Sequence, residues 1–257
     1  MTTPADRISA GVDGCKGGWI AVIARPHAPL EVCVFAAFSD LLDALPGDAI
    51  VAVDMPIGLP DFTRHGGRGP EALVRRLLGE RQSSVFSIPS RAAVYADESA
   101  FVSIEAWYDA HRRASEVARR TSDPPRGVSI QAFGIFSKIR EIDRLLRDRP
   151  DLRTRVFESH PEVAFWLLNG GRAMSLPKKI KNRVNPAGME ERRALLAECG
   201  VPPDFLALRP PRGADADDFL DATAMHLVAR RIAEGAARSF PSPPSTDGHG
   251  MPVAIWC

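Results

Sequence analysis

Carboxylates at strand ends are the residues of this sequence best suited to chemistry. Asp13 closes an apolar run that starts at Ile8, Asp54 closes Ile50 to Asp54 after four apolar residues, and Glu158 ends Arg155 to Glu158. Ligands of α/β sheets collect at strand ends, so three carboxylates there can converge on a metal. A further group, Asp217-Asp218-Phe219-Leu220-Asp221-Ala222, opens the last long helix. Residues three and four apart share a helix face, so Asp218 with Asp221, or Asp217 with Asp221, point the same way. Hard oxygen donors without histidine or thiolate suit Mg²⁺ or Mn²⁺. Two such ions roughly 4 Å apart turn water into a nucleophile and stabilise a leaving oxygen, which is the chemistry of phosphodiester hydrolysis. The expected cofactor is therefore Mg or Mn, as two divalent ions.

Each acid also has an ordinary explanation. Asp13 before Gly14 suits a tight turn, Asp54 before Met55-Pro56 suits a cap, and acids in a first helical turn complement the helix dipole. It is the constellation that favours a site. The basic residues expected to meet substrate phosphates are Lys16 in the glycine loop, Arg81, and the run Lys178, Lys179, Lys181 and Arg183, whose plain alternative is a solvated loop. Gly14, Gly17 and Gly18 would let backbone amides approach a phosphate, as in a nucleotide-binding phosphotransferase, although no helix follows as a dinucleotide fingerprint requires. His160 before Pro161 reads as a cap, and His226, about 140° around its helix from Asp221, reads as structural. Trp19, Trp107 and Trp166 read as core.

The elements that must position these residues follow from periodicity. Ile8 to Asp13, Trp19 to Ala24 and Glu31 to Phe35 read as an antiparallel meander. Ser39 suits the cap of a short helix to Leu45, and Ile50 to Asp54 reads as a buried strand. From Leu59 to Gly127 no strand pattern recurs, and helical periodicity marks Glu71 to Leu78 and Ile104 to Arg120. Ser129 caps a helix over Ile130 to Arg147, a strand follows at Arg155 to Glu158, and Pro161 starts a helix to Leu168. Helices are expected over Glu190 to Cys199, ended by Gly200, and over Asp215 to Glu234, with a last short strand at Pro252 to Trp256.

The frame is that of an ordinary globular enzyme. In 257 residues, 45% are hydrophobic and 25% charged, which rules out collagen, coiled-coil and disordered classes. Cys15, Cys33, Cys199 and Cys257 form no C-x-x-C pair, so neither a zinc cage nor a disulfide framework is expected. No apolar run nears the ~20 residues of a membrane span and MTTPADRIS lacks a signal pattern, so the expectation is cytoplasmic. Net charge is only +1, yet residues 64–193 carry 25 basic and 16 acidic side chains while both flanking segments are acidic. That segregation suits a metal-holding site built from the ends, with a basic middle facing a polyanion.

Four stretches carry a family resemblance. They are Gly11-Val12-Asp13-Gly14-Cys15-Lys16-Gly17-Gly18-Trp19, Val53-Asp54-Met55-Pro56-Ile57-Gly58-Leu59, Glu158-Ser159-His160-Pro161-Glu162 and Asp218-Phe219-Leu220-Asp221-Ala222. In that order they resemble the domain-of-unknown-function 429 family of predicted RNase H-like nucleases, and the last also resembles the closing helix of RuvC-type resolvases. The resemblance implies a single RNase H-like domain over residues 1–257, an α/β fold with a five-stranded mixed sheet whose first three strands are antiparallel, flanked by helices. A helical insertion over residues 60–127 lies between strands four and five. It further implies a metal-dependent nuclease with a nucleic-acid substrate, metal ligands at Asp13, Asp54, Glu158 and Asp218, and Asp221 as a further catalytic carboxylate. A glutamate at 158 departs from the simplest RNase H arrangement. A non-catalytic nucleic-acid-binding protein and a structural or regulatory partner protein are further alternatives, and oligomeric state is open, a dimer included.

Overall fold

The computed structural model describes residues 7–65, 67–99, 102–181 and 183–257. The opening six residues and Asn182 of the basic run lie outside it. Strands β1 (Ser9–Cys15), β2 (Gly18–Ala24), β3 (Glu31–Phe35), β4 (Ile50–Val53) and β5 (Val156–Glu158) form one sheet in the order β3-β2-β1-β4-β5. The first three are antiparallel, and β4 lies parallel to both β1 and β5. This is the five-stranded mixed sheet expected of the RNase H-like fold.

Strand alternation divides the core into two layers. Ala10, Val12, Trp19, Ala21, Val51, Val53 and Val156 pack on one face, while Ile20, Val22, Ile50 and Ala52 pack on the other. Helices α1 (Phe38–Asp43), α2 (Pro70–Arg75), α3 (Ile104–Arg120) and α4 (Phe136–Asp148) come next in the chain, and α1, α3 and α4 cover the first face. The second face is covered by α5 (Pro161–Leu168), α6 (Pro186–Glu198) and α7 (Ala216–Ala233). Helix α7 lies directly on β1 because Gly11 has no side chain: a Cβ there would fall 1.8 Å from the His226 backbone nitrogen and 2.2 Å from the Ala222 carbonyl. That close approach brings the acidic first turns of α7 to the end of β1.

Several expectations shift for local reasons. The first helix is capped at Ala37, without a side-chain bond, rather than at Ser39. The helix expected over Ile130 to Arg147 divides into Ile130–Gly134 and α4, joined at Ile135 after Gly134, a poor helix former. Its Ser129 cap is as expected. Helix α6 begins four residues early because Pro186 suits a first helical position. The proline-rich tail holds an unexpected strand, β6 (Ser239–Thr246), antiparallel to β7 (Pro252–Trp256). A two-stranded ribbon tolerates prolines, and its register shifts between Phe240 and Ser245, where Pro241, Pro243 and Pro244 stand. Within the stretch 60–127, Thr63–Arg64 pairs in parallel with Ser122–Asp123, a strand contact the periodicity did not announce.

Candidate functional site

Three aspartates lie near one another where α7 crosses the sheet, each within reach of the others' charge. Asp13 shares the β1 face of Gly11, and Asp54 follows Ala52 on the matching face of β4, its backbone N–H donating to Val12 O at 2.9 Å. The carboxyl groups of Asp13 and Asp54 are close enough to influence each other's ionisation. Asp221, fully buried on α7, is the third. Burial, then the charges of Asp54 and Asp221, hold the Asp13 carboxyl well above the usual carboxylate range. Burial likewise pushes Asp54 up to about 7 and Asp221 up to about 6, against the opposing pull of Lys178.

Lys178 is the counter-charge of this group. Its ammonium donates to Asp221 Oδ2 and stands 3.6 Å from Asp217 Oδ2. Burial works against that charge, but Asp221 and Asp13 hold the lysine above its ordinary value. Its backbone is clamped to the start of α6: Asn185 N donates to Lys178 O at 2.9 Å, and Asn185 Nδ2 donates to Pro177 O at 2.8 Å. Gly188 makes the clamp possible, since a Cβ there would come within 2.2 Å of Pro177 O.

The other acids of α7 are engaged elsewhere. Asp217 is buried and pairs with Lys179 at 2.6 Å. Burial alone would raise its carboxyl, but Lys179 and Lys178 hold it below the ordinary value. Asp218 closes a capping box by accepting the Asp215 N–H at 2.9 Å, and burial pushes it up to about 6.

Glu158 stands apart from the aspartates. It is in register with Val53, which pairs with Val12, so it shares the opposite face of the sheet from Asp13 and Asp54. There it accepts from Arg68 Nη1 at 2.9 Å, Arg68 Nη2 at 2.5 Å and the Ile57 N–H at 2.7 Å. Arg68 also pairs with buried Glu71 at 2.7 Å. Burial pushes Glu158 up to about 7 against the pull of Arg68, while the two glutamates outweigh burial and raise Arg68. Glu158 is thus an anchor for Arg68, and it lines the same cavity as Asp13 and Asp54.

A cavity of ≈ 530 Å³ opens over the group, with Asp13, Asp54, Lys178, Lys179, Arg81 and Lys138 in its wall. Of the basic residues expected at substrate, Lys178, Lys179 and Arg81 are therefore at the cavity. Lys181 and Arg183 are exposed on a hairpin beyond it, and Lys16 is exposed at the β1–β2 turn. Lys138 was not singled out from sequence. It donates to Gly18 O at 2.5 Å and lies 4.3 Å from the Trp19 ring centroid, which fixes it beside Gly14.

Glu162, which ends one of the stretches that carry the resemblance but has no expected site role, also lines the cavity. It is buried against Arg192 at 2.5 Å, and its Oε2 has no hydrogen-bond partner. His160 caps α5 by accepting the Glu162 N–H at Nδ1 (3.2 Å), which leaves Nε2 to donate to Ser84 O at 3.3 Å. Burial lowers its pKa, so it is a neutral positioning group. His226 faces Ser9 Oγ at 3.2 Å under the sheet, a structural role.

The glycine turn is poorly equipped for phosphate. The Gly14 amide donates to Asp13 Oδ1 at 2.7 Å and the Gly17 amide to Gly213 O at 2.7 Å. Two of the amides a nucleotide-binding phosphotransferase would use there are thus already engaged.

The donor set is nevertheless of the right kind for a hard divalent ion: carboxylate oxygens alone, with Asp221 Oδ1 and Asp217 Oδ1 buried and without hydrogen-bond partners. Among the described residues no three His, Cys, Asp or Glu side chains converge as a ready cage. Lys178 stands among them instead. No helix of the described residues is long and apolar enough to cross a membrane.

No curated protein and no solved structure matches the chain. The family model described as "Protein of unknown function (DUF429)" matches residues 11–246, from the middle of β1 to the end of β6, and so includes all the acids described above. The chain belongs to that family.

Proposed function

We propose that the protein is a metal-dependent nuclease that hydrolyses phosphodiester bonds of nucleic acid. The observation that carries this reading is the proximity of Asp13, Asp54 and Asp221 under a cavity whose wall also presents Lys138, Lys178, Lys179 and Arg81. Asp13 and Asp54 would hold Mg or Mn. The ion, when bound, supplies an activated water and stabilises charge on the leaving oxygen. Burial raises both carboxyls, and the charge of Asp54 adds to it at Asp13, so a cation held by Asp13 and Asp54 would favour their ionised forms. Lys138, fixed by Trp19 and Gly18, and Lys179 and Arg81 would orient phosphate oxygens. His160, neutral and engaged at both nitrogens, positions the Ser84 loop rather than moving protons.

A nucleic-acid partner and a cytoplasmic location belong to this reading. The direct test is incubation of the purified chain with labelled single-stranded, duplex, hybrid and branched substrates in Mg²⁺, Mn²⁺ or chelator. Cutting that requires the ion identifies both activity and substrate. Binding without cutting, unchanged by chelator, would favour the non-catalytic alternative.

A further inference from the structure

Each α7 acid that could serve a second ion already has one oxygen engaged, two of them with lysines. Of the α7 acids expected to hold a second ion, Asp217 is paired with Lys179, Asp218 is engaged in its capping box, and Asp221 Oδ2 accepts from the Lys178 ammonium. Lys178 is held there by its backbone as well as by charge, through Asn185 and the space left at Gly188. Three carboxylates, Asp13, Asp54 and Asp221, against one ammonium leave two formal negative charges, which one divalent ion balances. A second ion beside Asp221 would have to displace a lysine whose ammonium is already hydrogen-bonded to it.

We propose that the Lys178 ammonium holds one of the two cation positions of this centre, so that the chain takes up a single divalent ion, on Asp13 and Asp54. The inference rests on the metal-dependent reading above and deepens it. Lys178 would neutralise Asp221 permanently and present its remaining N–H bonds to the cavity, where a phosphate oxygen accepts them. Asp221 Oδ1, buried and without a partner, stays available to a water or to the ion.

The test is the number of Mn²⁺ ions bound per full-length chain, by equilibrium dialysis with electron paramagnetic resonance of the free ion. Wild type should saturate at one ion and Asp54→Asn should bind none. Lys178→Met, shown folded by circular dichroism, should rise to two. Two ions on wild type would overturn the inference while keeping the metal-dependent reading, whether or not Lys178→Met folds. One ion on folded Lys178→Met would also overturn it. No ion on wild type would overturn the metal-dependent reading, and this inference with it.

Discussion

Replacing Glu158 by glutamine separates an anchor from a ligand. The Glu158 and Arg68 side chains are 4% and 1% exposed, joined by bonds of 2.5 and 2.9 Å, and Glu158 also accepts the Ile57 N–H at 2.7 Å. Glutamine keeps the shape but removes the charge and turns one acceptor into a donor facing Arg68. Removing one partner of a buried ion pair costs about 3–5 kcal/mol. Glu71 remains on Arg68 at 2.7 Å, so the lower end, about 3 kcal/mol, applies. At roughly 2–4 °C per kcal/mol for a domain of this size, Tm should fall by about 6–12 °C. The assay is thermal unfolding followed by circular dichroism at pH 8, without metal. Asp54→Asn in parallel should show no fall, because it removes one of two carboxyls that share a buried site. A Glu158→Gln protein melting within about 2 °C of wild type would refute the assignment of Glu158 to the Arg68 network.

Three further outcomes follow from particular contacts. Burial lowers His226 to about 4, so the folded state stays neutral while the unfolded chain takes up a proton below about 6.5. The associated stability is full above pH 6.5 and is lost as pH falls toward 4, by roughly 3 kcal/mol in all. Chemical denaturation across that range should show this loss in wild type but not in His226→Gln. Gly188→Ala places a Cβ 2.2 Å from Pro177 O and should push Lys178 out of the cluster, so dialysis should then count a second Mn²⁺. Gly11→Ala meets the backbone of α7 at 1.8 Å and should prevent its docking, read as loss of a cooperative melt.

Much of the sheet was legible because its strands are short, apolar and bounded by glycine or proline, and β3 falls on its expected bounds. The tail strand β6 was hidden by prolines at 241, 243 and 244, which argue against a central strand but not against a ribbon edge. For the site, alternation in β1 already placed Asp13 with Gly11, opposite Ala10 and Val12. What sequence lacked was the β4–β5 register. Val53 opposite Glu158 puts that glutamate on the far face from Asp54, and one residue of slip would have reversed the outcome. Arg68, ninety residues away in sequence, is Glu158's partner through folding alone. Lys178 was expected at substrate phosphates, but its pairing with Asp221 was not legible, because the contact that turns it there depends on α6 and Gly188.

The measurement that bears most directly on the central claim is cleavage of a labelled nucleic acid in Mn²⁺ by wild type, Asp13→Asn, Asp54→Asn, Asp221→Asn and Glu158→Gln. All five are prepared identically and assayed well below the lowest Tm. The three-aspartate centre predicts that wild type and Glu158→Gln cut while the three aspartate variants do not. Equal cutting by Asp54→Asn and wild type, or loss in Glu158→Gln while it remains folded, would contradict it.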